Sequence, residues 1–458
     1  MFRNRVRITR TQAALSLIFA IALTLRAGWS LYADTVTPPL SDPQYYSATA
    51  ENIADGFGYS VRVDQQSAPG DRWGFMAGAG SEATAFWSPG YPFAIAALYW
   101  LFGAHEVLAK ALNVISGALT VFPVYHLGAR IGIGRRAAPR ASAGLLAASL
   151  MAIAPSHILW GASLFSEPLF TLGVAATFAL ALWSGERRTF AAYFVTGLLL
   201  AATAFVRAQG LVFIVPVVVL LVAPRLSDVP PDVRMADRLR AIASGSARVT
   251  APVLIAMVLL IVPWAVRNQR AMGAPSIISG SGAYNLREAH APYANGTSTV
   301  PTDLWDERPG ISFHEREIFG LDVGTHRAIT YAREHPGREM RLAVLRVGWL
   351  LRSDAEPSVR WSESLGATPI GRPHDALVLI GDMYWYGLLA VATLSLFVVR
   401  RDRLWLAAWS SIAMWVALHL VFFGEPRYHI PLLPVLTALA AAVVMRLVER
   451  TERGAPSN

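Results

Sequence analysis

Apolar residues run in long stretches along this chain, and the polar residues gather between them. Such stretches lie near 13–33, 107–127, 141–156, 168–184, 189–206, 210–223, 249–266, 374–399, 404–423 and 430–446. A helix needs about 20 apolar residues to cross a hydrocarbon core, and a helix satisfies its own backbone there. The pattern therefore predicts an all-α polytopic membrane protein with about ten transmembrane helices. A large first outer loop, 34–106, separates the first two spans. A small outer cap segment, 267–373, rich in Gly, Pro, Asn, Trp and charged residues, separates the seventh from the eighth. The chain divides accordingly into an N-terminal membrane region, 1–266, the cap, and C-terminal spans within 374–458. Within the cap, Arg338 to Leu351 reads as an amphipathic interfacial helix.

Charge orients these spans. Arginines cluster before the first span (Arg3, Arg5, Arg7, Arg10) and again at Arg130, Arg135, Arg136 and Arg140. Further clusters lie at Arg187 and Arg188, from Arg225 through Arg234, Arg238 and Arg240 to Arg248, at Arg400, Arg401 and Arg403, and at Arg446, Arg450 and Arg453. Loops enriched in arginine stay in the cytoplasm. An even number of spans must then separate the first two clusters. The short apolar run 90–102 is thus a helix lying at the outer interface, with Trp87, Tyr91 and Trp100 as anchors, and not a third span. The pieces assigned to the cytoplasm hold 21 of the 40 basic residues but only 7 of the 31 acidic ones, so the charge changes sign across the membrane as the topology requires. This predicts an integral membrane protein, of bacterial plasma-membrane type, with both termini cytoplasmic and its working face outside. The same distribution argues against nucleic acid as a partner, because the basic residues sit between apolar runs and form no stripe. The absence of cysteine removes disulfides and thiolate metal sites.

On this topology the polar residues at outer span ends converge: Asp42, Glu167, Arg207, Arg267, Asn268, Glu425, Arg427 and His429. Charged groups at a membrane edge are either functional or merely solvated. Asp42 opens a short predicted helix ending at Gly56. Its carboxylate can accept a proton from a hydroxyl nucleophile, or serve as a turn or cap residue beside Pro43. Glu167 precedes Pro168 at a helix start; it either faces the helix dipole or orients an acceptor or cation. Arg26, inside the first span, either snorkels outward or meets an acid of the first loop. His157 and His419 read as packed or solvated.

A resemblance extends this reading. Asp42-Pro43-Gln44-Tyr45-Tyr46, followed by Ala54-Asp55-Gly56-Phe57-Gly58-Tyr59, resembles the first outer loop of GT-C glycosyltransferases, in the protein mannosyltransferase and aminoarabinose transferase-like branch. So do Ala85-Phe86-Trp87-Ser88-Pro89-Gly90-Tyr91-Pro92, Phe205-Val206-Arg207-Ala208-Gln209-Gly210, Pro263-Trp264-Ala265-Val266-Arg267-Asn268 and Arg427-Tyr428-His429-Ile430-Pro431-Leu432-Leu433-Pro434. The resemblance implies transfer of a sugar from a polyprenyl phosphate-linked donor to a glycan, lipid or protein acceptor on the non-cytoplasmic face, among membrane lipids, with inversion. It implies Asp42 as general base and Arg207, Arg267 and Arg427 as donor phosphate ligands. Tyr45, Tyr46, Asn268, Tyr428 and His429 become substrate-contact candidates, and Glu167 the acceptor or metal candidate. Some members use a divalent cation; no cofactor is specified by the residues here. Two departures stand out. Pro43 occupies the place of a second adjacent acid, and Arg207-Ala208-Gln209-Gly210 lacks the acid of a common Arg-Pro-Glu-Gly pattern. A transporter or flippase for lipid-linked sugars, and a membrane receptor binding through 267–373, are the competing readings. A transporter predicts related halves and broken mid-membrane helices.

Overall fold

The structure is a computed structural model, and it describes residues 9–33, 42–64, 74–132, 137–226, 235–299, 301–305, 307–308, 310–364 and 372–454. Arg3, Arg5, Arg7, Arg135, Arg136 and Arg234 of the predicted cytoplasmic segments fall outside them.

Helix α1 (Arg10–Tyr32) starts at a capping box in which the Thr9 hydroxyl accepts from the Gln12 amide and the Gln12 side chain accepts from the Thr9 amide. After the first loop come α2 (Asp42–Ala54), strands β1 (Ser60–Asp64), β2 (Gly74–Met76) and β3 (Glu82–Ala83), and helices α3 (Gly90–Phe102), α4 (Glu106–Leu119) and α5 (Val121–Gly128). The strands form a small antiparallel sheet in the order β2-β1-β3, a feature that the all-helical prediction lacked. Next are α6 (Ala137–Ala152), α7 (Pro155–Leu159), α8 (Glu167–Arg187), α9 (Phe190–Val206), α10 (Ile214–Leu226) and α11 (Met235–Met272). The cap follows as α12 (Ser281–Ala289), α13 (Thr302–Trp305), α14 (Phe313–Glu334), α15 (Pro336–Leu351) and α16 (Ala355–Ser364). Helices α17 (Arg372–Val398), α18 (Arg403–Val421) and α19 (Leu433–Gly454) complete the bundle.

Each apolar segment read from the sequence is helical. Among the described residues seven helices are long and apolar enough to cross a membrane, or eight when the bent pair α6–α7 is taken as one span. Phe190–Val206 and Ala208–Val222 are apolar but shorter, as is Gly90–Phe102. Helices α9 and α11 approach so closely that a Cβ at Gly197 would lie 2.4 Å from the Val253 carbonyl oxygen. Small residues permit such contacts where lipid supplies no hydrophobic drive between helices.

The bend between α6 and α7 is 53°. Pro155 has no amide proton for the Met151 carbonyl, so the turn is broken there. Arg26 repairs it. Its guanidinium donates to the Ala152 carbonyl (2.8 Å) and the Met151 carbonyl (3.2 Å) and meets His157 Nδ1 at 2.9 Å. Arg26 is fully buried. It therefore neither snorkels nor meets a first-loop acid but has a structural role, because the carbonyls at the bend are the nearest acceptors.

The first loop and the cap share one aromatic core. Tyr45, Phe75 and Phe86 pack with Tyr284, Phe313 and Phe319, mostly edge to face. Glu317 of α14 closes this joint, accepting from the Thr84 hydroxyl and the Ala85 amide at 2.8 Å each. Burial pushes its carboxyl up to about 7. Helix α15 is amphipathic as predicted: Leu342, Arg346 and Leu350 are buried, while Met340 and Val344 are exposed.

Candidate active site

Four chain breaks at the cap end of the bundle bring the charged residues together. Asp42 is the first residue of α2 and Glu167 the first of α8, each on the positive end of a helix. Arg207 ends α9 in extended conformation (φ −148°, ψ 127°) before a 3₁₀ turn over Ala208–Phe213. Arg427 lies in a second 3₁₀ helix, Pro426–Leu432, that leads into α19. The Trp415 indole N–H fixes that turn by donating to the Tyr428 carbonyl at 2.8 Å.

Asp42, Arg207 and Arg427 border a cavity of about 280 Å³. Asp42, Tyr46, Arg207, Arg427 and Tyr428 line it, with His419 and with Ser281 and Asn285 of the cap. Glu167, almost fully buried, lies 2.8 Å from Arg207 Nη1 and 3.9 Å from Arg427 Nε. Arg427 Nη2 lies 3.7 Å from Asp42 Oδ2. Both guanidiniums lie over the Tyr428 ring, at 5.4 and 5.6 Å, and Arg427 also covers Phe165 at 4.5 Å. Burial raises the Asp42 carboxyl above its ordinary range; Arg427 opposes the shift, Glu167 adds to it and Arg207 opposes it. The result is a carboxylate of raised basicity facing a cavity that also presents two fixed cations.

Four predicted residues are placed elsewhere. Arg267 donates to the Thr84 carbonyl (2.5 Å) and the Tyr59 carbonyl (2.6 Å), and stacks over Tyr59 and Trp264. Its donors clamp α11 to the first loop and do not reach the cavity. Asn268 is buried and donates to the Ser276 and Ile278 carbonyls. Tyr45 is buried against the Thr84 hydroxyl at 2.9 Å. His429 stacks on Trp385 at 3.6 Å and lies 3.4 Å from Asp354 Oδ1. That aspartate, fully buried, accepts from Ser156 and Trp160 and so sits between α7 and the turn carrying Arg427. Asp354 carried no sequence signal, since it sits in the cap far from every motif. Ser281 and Asn285 were missed for the same reason. Glu425 accepts from the Thr297 hydroxyl and the Ser298 amide, so it anchors the cap.

No protein-family model matches the chain, and no curated protein matches it in sequence. Solved structures do. The Archaeoglobus fulgidus oligosaccharyltransferase in complex with zinc and sulfate matches at 16% identity and a TM-score of 0.50, over 96% of this chain and 50% of that one. The oligosaccharyltransferase AglB from the same organism, with an inhibitory peptide and a dolichol-phosphate, matches at 18% identity and 0.50, over 98% and 52%. ArnT from Cupriavidus metallidurans bound to undecaprenyl phosphate matches at 14% identity and 0.34, over 93% and 77%. The chain spans about half the length of the archaeal chains that it matches. The chain is therefore a polytopic, predominantly helical integral membrane protein that shares its fold with the part of the archaeal oligosaccharyltransferases it covers.

Proposed function

We propose that this protein is a membrane glycosyltransferase that moves a sugar from a polyprenyl phosphate-linked donor to an acceptor hydroxyl, with Asp42 as general base. One observation carries this reading: a carboxylate of raised basicity and two buried-end guanidiniums, Arg207 and Arg427, border the same cavity. The lipid phosphates bound by the structural neighbours named above are consistent with it.

The chemistry follows from those groups. The acceptor O–H gives its proton to the Asp42 carboxylate as its oxygen bonds to the anomeric carbon from the face opposite the phosphate. The anomeric C–O bond to phosphate breaks, its electron pair stays on the phosphate oxygen, and configuration inverts. The charge developing on that oxygen is met by Arg207 and Arg427. Glu167 holds both guanidiniums in place, and Tyr428 packs beneath them. Tyr46 and Tyr428 border the space left for the sugar. The acids present suit arginine better than a divalent cation. Magnesium or calcium takes six or more oxygens and zinc about four ligands, whereas Asp42 and Glu167 each already face a guanidinium, and the described residues contain no group of three His, Asp or Glu that could hold a metal. No step here runs through a metal.

In the orientation we propose, the cap end faces away from the cytoplasm and both termini lie inside, because the arginine clusters lie at the opposite end. The test is incubation of the purified protein with a panel of polyprenyl phosphate sugars, with mass analysis of the products. Release of polyprenyl phosphate with glycosylated acceptor is expected. Movement of the intact donor across vesicles without any glycosyl transfer would instead make the protein a transporter.

A further inference from the structure

A second, larger cavity lies at the other end of the bundle. Helices α8 and α18 run between the two: α8 begins at Glu167 beside Arg207 and reaches Glu186 at the second cavity, and α18 begins there at Arg403 and reaches His419 at the first. At 21 residues, α8 spans roughly 30 Å, about the thickness of a hydrocarbon core. The second cavity is therefore at headgroup depth in the opposite leaflet.

Its volume is about 670 Å³, and five arginines line it: Arg130, Arg140, Arg400, Arg401 and Arg403. Two acids accompany them. Asp402 already accepts from two backbone amides, Gly132 at 2.6 Å and Trp405 at 2.9 Å, so its charge is used to cap α18 and to hold the end of the loop after α5. Glu186 lies 3.7 Å from Arg130. Arg400, Arg401 and Arg403 form no ion pair among the described residues. The wall is built and not incidental: Arg446 donates twice to the Gly132 carbonyl, at 2.7 and 3.2 Å, and ties Gly132 to α19, while the Gly132 amide is held by Asp402 of the α17–α18 turn. Leu182 and Leu404 give the cavity apolar lining toward the bundle.

We infer that this cavity binds the phosphate-bearing headgroup of an anionic phospholipid. Guanidiniums in excess over acids call for an anion, and arginine meets phosphate oxygens in pairs. Free phosphate shares that chemistry. The lipid is favoured because the cavity combines charge with aliphatic walls at the end of membrane spans, where basic pockets between helices take headgroups. This site is independent of the reaction at Asp42.

The test uses the delipidated full chain in detergent, with binding of short-chain phosphatidylglycerol, phosphatidylcholine and inorganic phosphate measured by native mass spectrometry. Phosphatidylglycerol is expected to bind the wild type roughly 30-fold more tightly than the Arg400→Gln/Arg401→Gln variant. Phosphatidylcholine and phosphate should bind weakly to both, and Arg427→Gln should retain the lipid. Size-exclusion behaviour checks that the double variant folds; if it does not, Arg401→Gln alone should lose part of the affinity. Equal lipid affinity in wild type and variant overturns the inference. So does loss of the lipid in Arg427→Gln only, or inorganic phosphate binding as tightly as the lipid.

Discussion

The two ends of α8 and α18 carry arginine-bordered cavities that are built differently. At the cap end, Arg207 and Arg427 are held by Glu167, backed by Tyr428 and Phe165, and exposed over less than a fifth of their side chains. At the opposite end, five arginines surround twice the volume, with Glu186 and Arg130 half-exposed and loosely paired. Fixed, desolvated cations stabilise charge that develops at one point, since no reorganisation is needed when it appears. Loosely held, hydrated ones attract an anion that arrives already charged, and their effect is screened by salt. The residue type is the same at both ends; the surroundings assign the task.

The largest effect that could break this contrast is at Asp42. Asp42→Asn should lower kcat about 10³-fold while leaving the fold intact, because the base is lost and the shape kept. In the wild type, activity should fall as pH drops through the raised carboxyl, above the range of an ordinary aspartate, since the base must be ionised; burial is the cause. A near-normal rate in the asparagine variant, or a flat profile above pH 4, removes Asp42 from the role. Next in size is Arg427. Arg427→Gln should cost about 10²-fold in kcat, and lysine should not restore it, because a point charge cannot span Asp42 and the phosphate as a planar fork does. Full rescue by lysine would mean that these cations work like those at the other end. The smallest effect concerns Arg267. Arg267→Gln should destabilise the protein by about 2 kcal/mol in a thermal melt, through the Tyr59 and Thr84 carbonyls, with activity falling only in step with the folded fraction. A selective loss of kcat in fully folded Arg267→Gln protein would return that arginine to the phosphate.

The contrast also explains what could be read from the chain. Spans, the amphipathic pattern of α15 and the start of α2 depend on local periodicity, so they were legible. Asp42, Arg207 and Arg427 were legible too, because each stands at the end of a helix within a recognisable motif. Arg267 looked equivalent on those grounds. Its partners, Tyr59 and Thr84, are about 200 residues away, and no local pattern announces such a clamp. Asn268 diverged because its amide is taken up by the Ser276 and Ile278 carbonyls of the following turn, and His429 because it stacks on Trp385 of another helix, contacts that no motif announces. The small sheet escaped notice because its strands are only two to five residues long and depend on packing against α2 and the cap. The break in the third apolar run, between α6 and α7, hinged on Pro155 within a segment whose hydropathy is continuous.

That break bears on what the first helix is. Most of α1 faces outward, and by hydropathy it resembles a membrane anchor that any apolar sequence could replace. One residue makes it irreplaceable. A generic anchor grafted in its place would take the guanidinium away from the carbonyls of Met151 and Ala152 inside hydrocarbon, where water is not at hand to substitute. A chimera, an affinity-tag fusion or a shortened version of this protein must therefore keep Arg26 in register with α6, because the leader-like segment completes the backbone of a helix more than a hundred residues downstream.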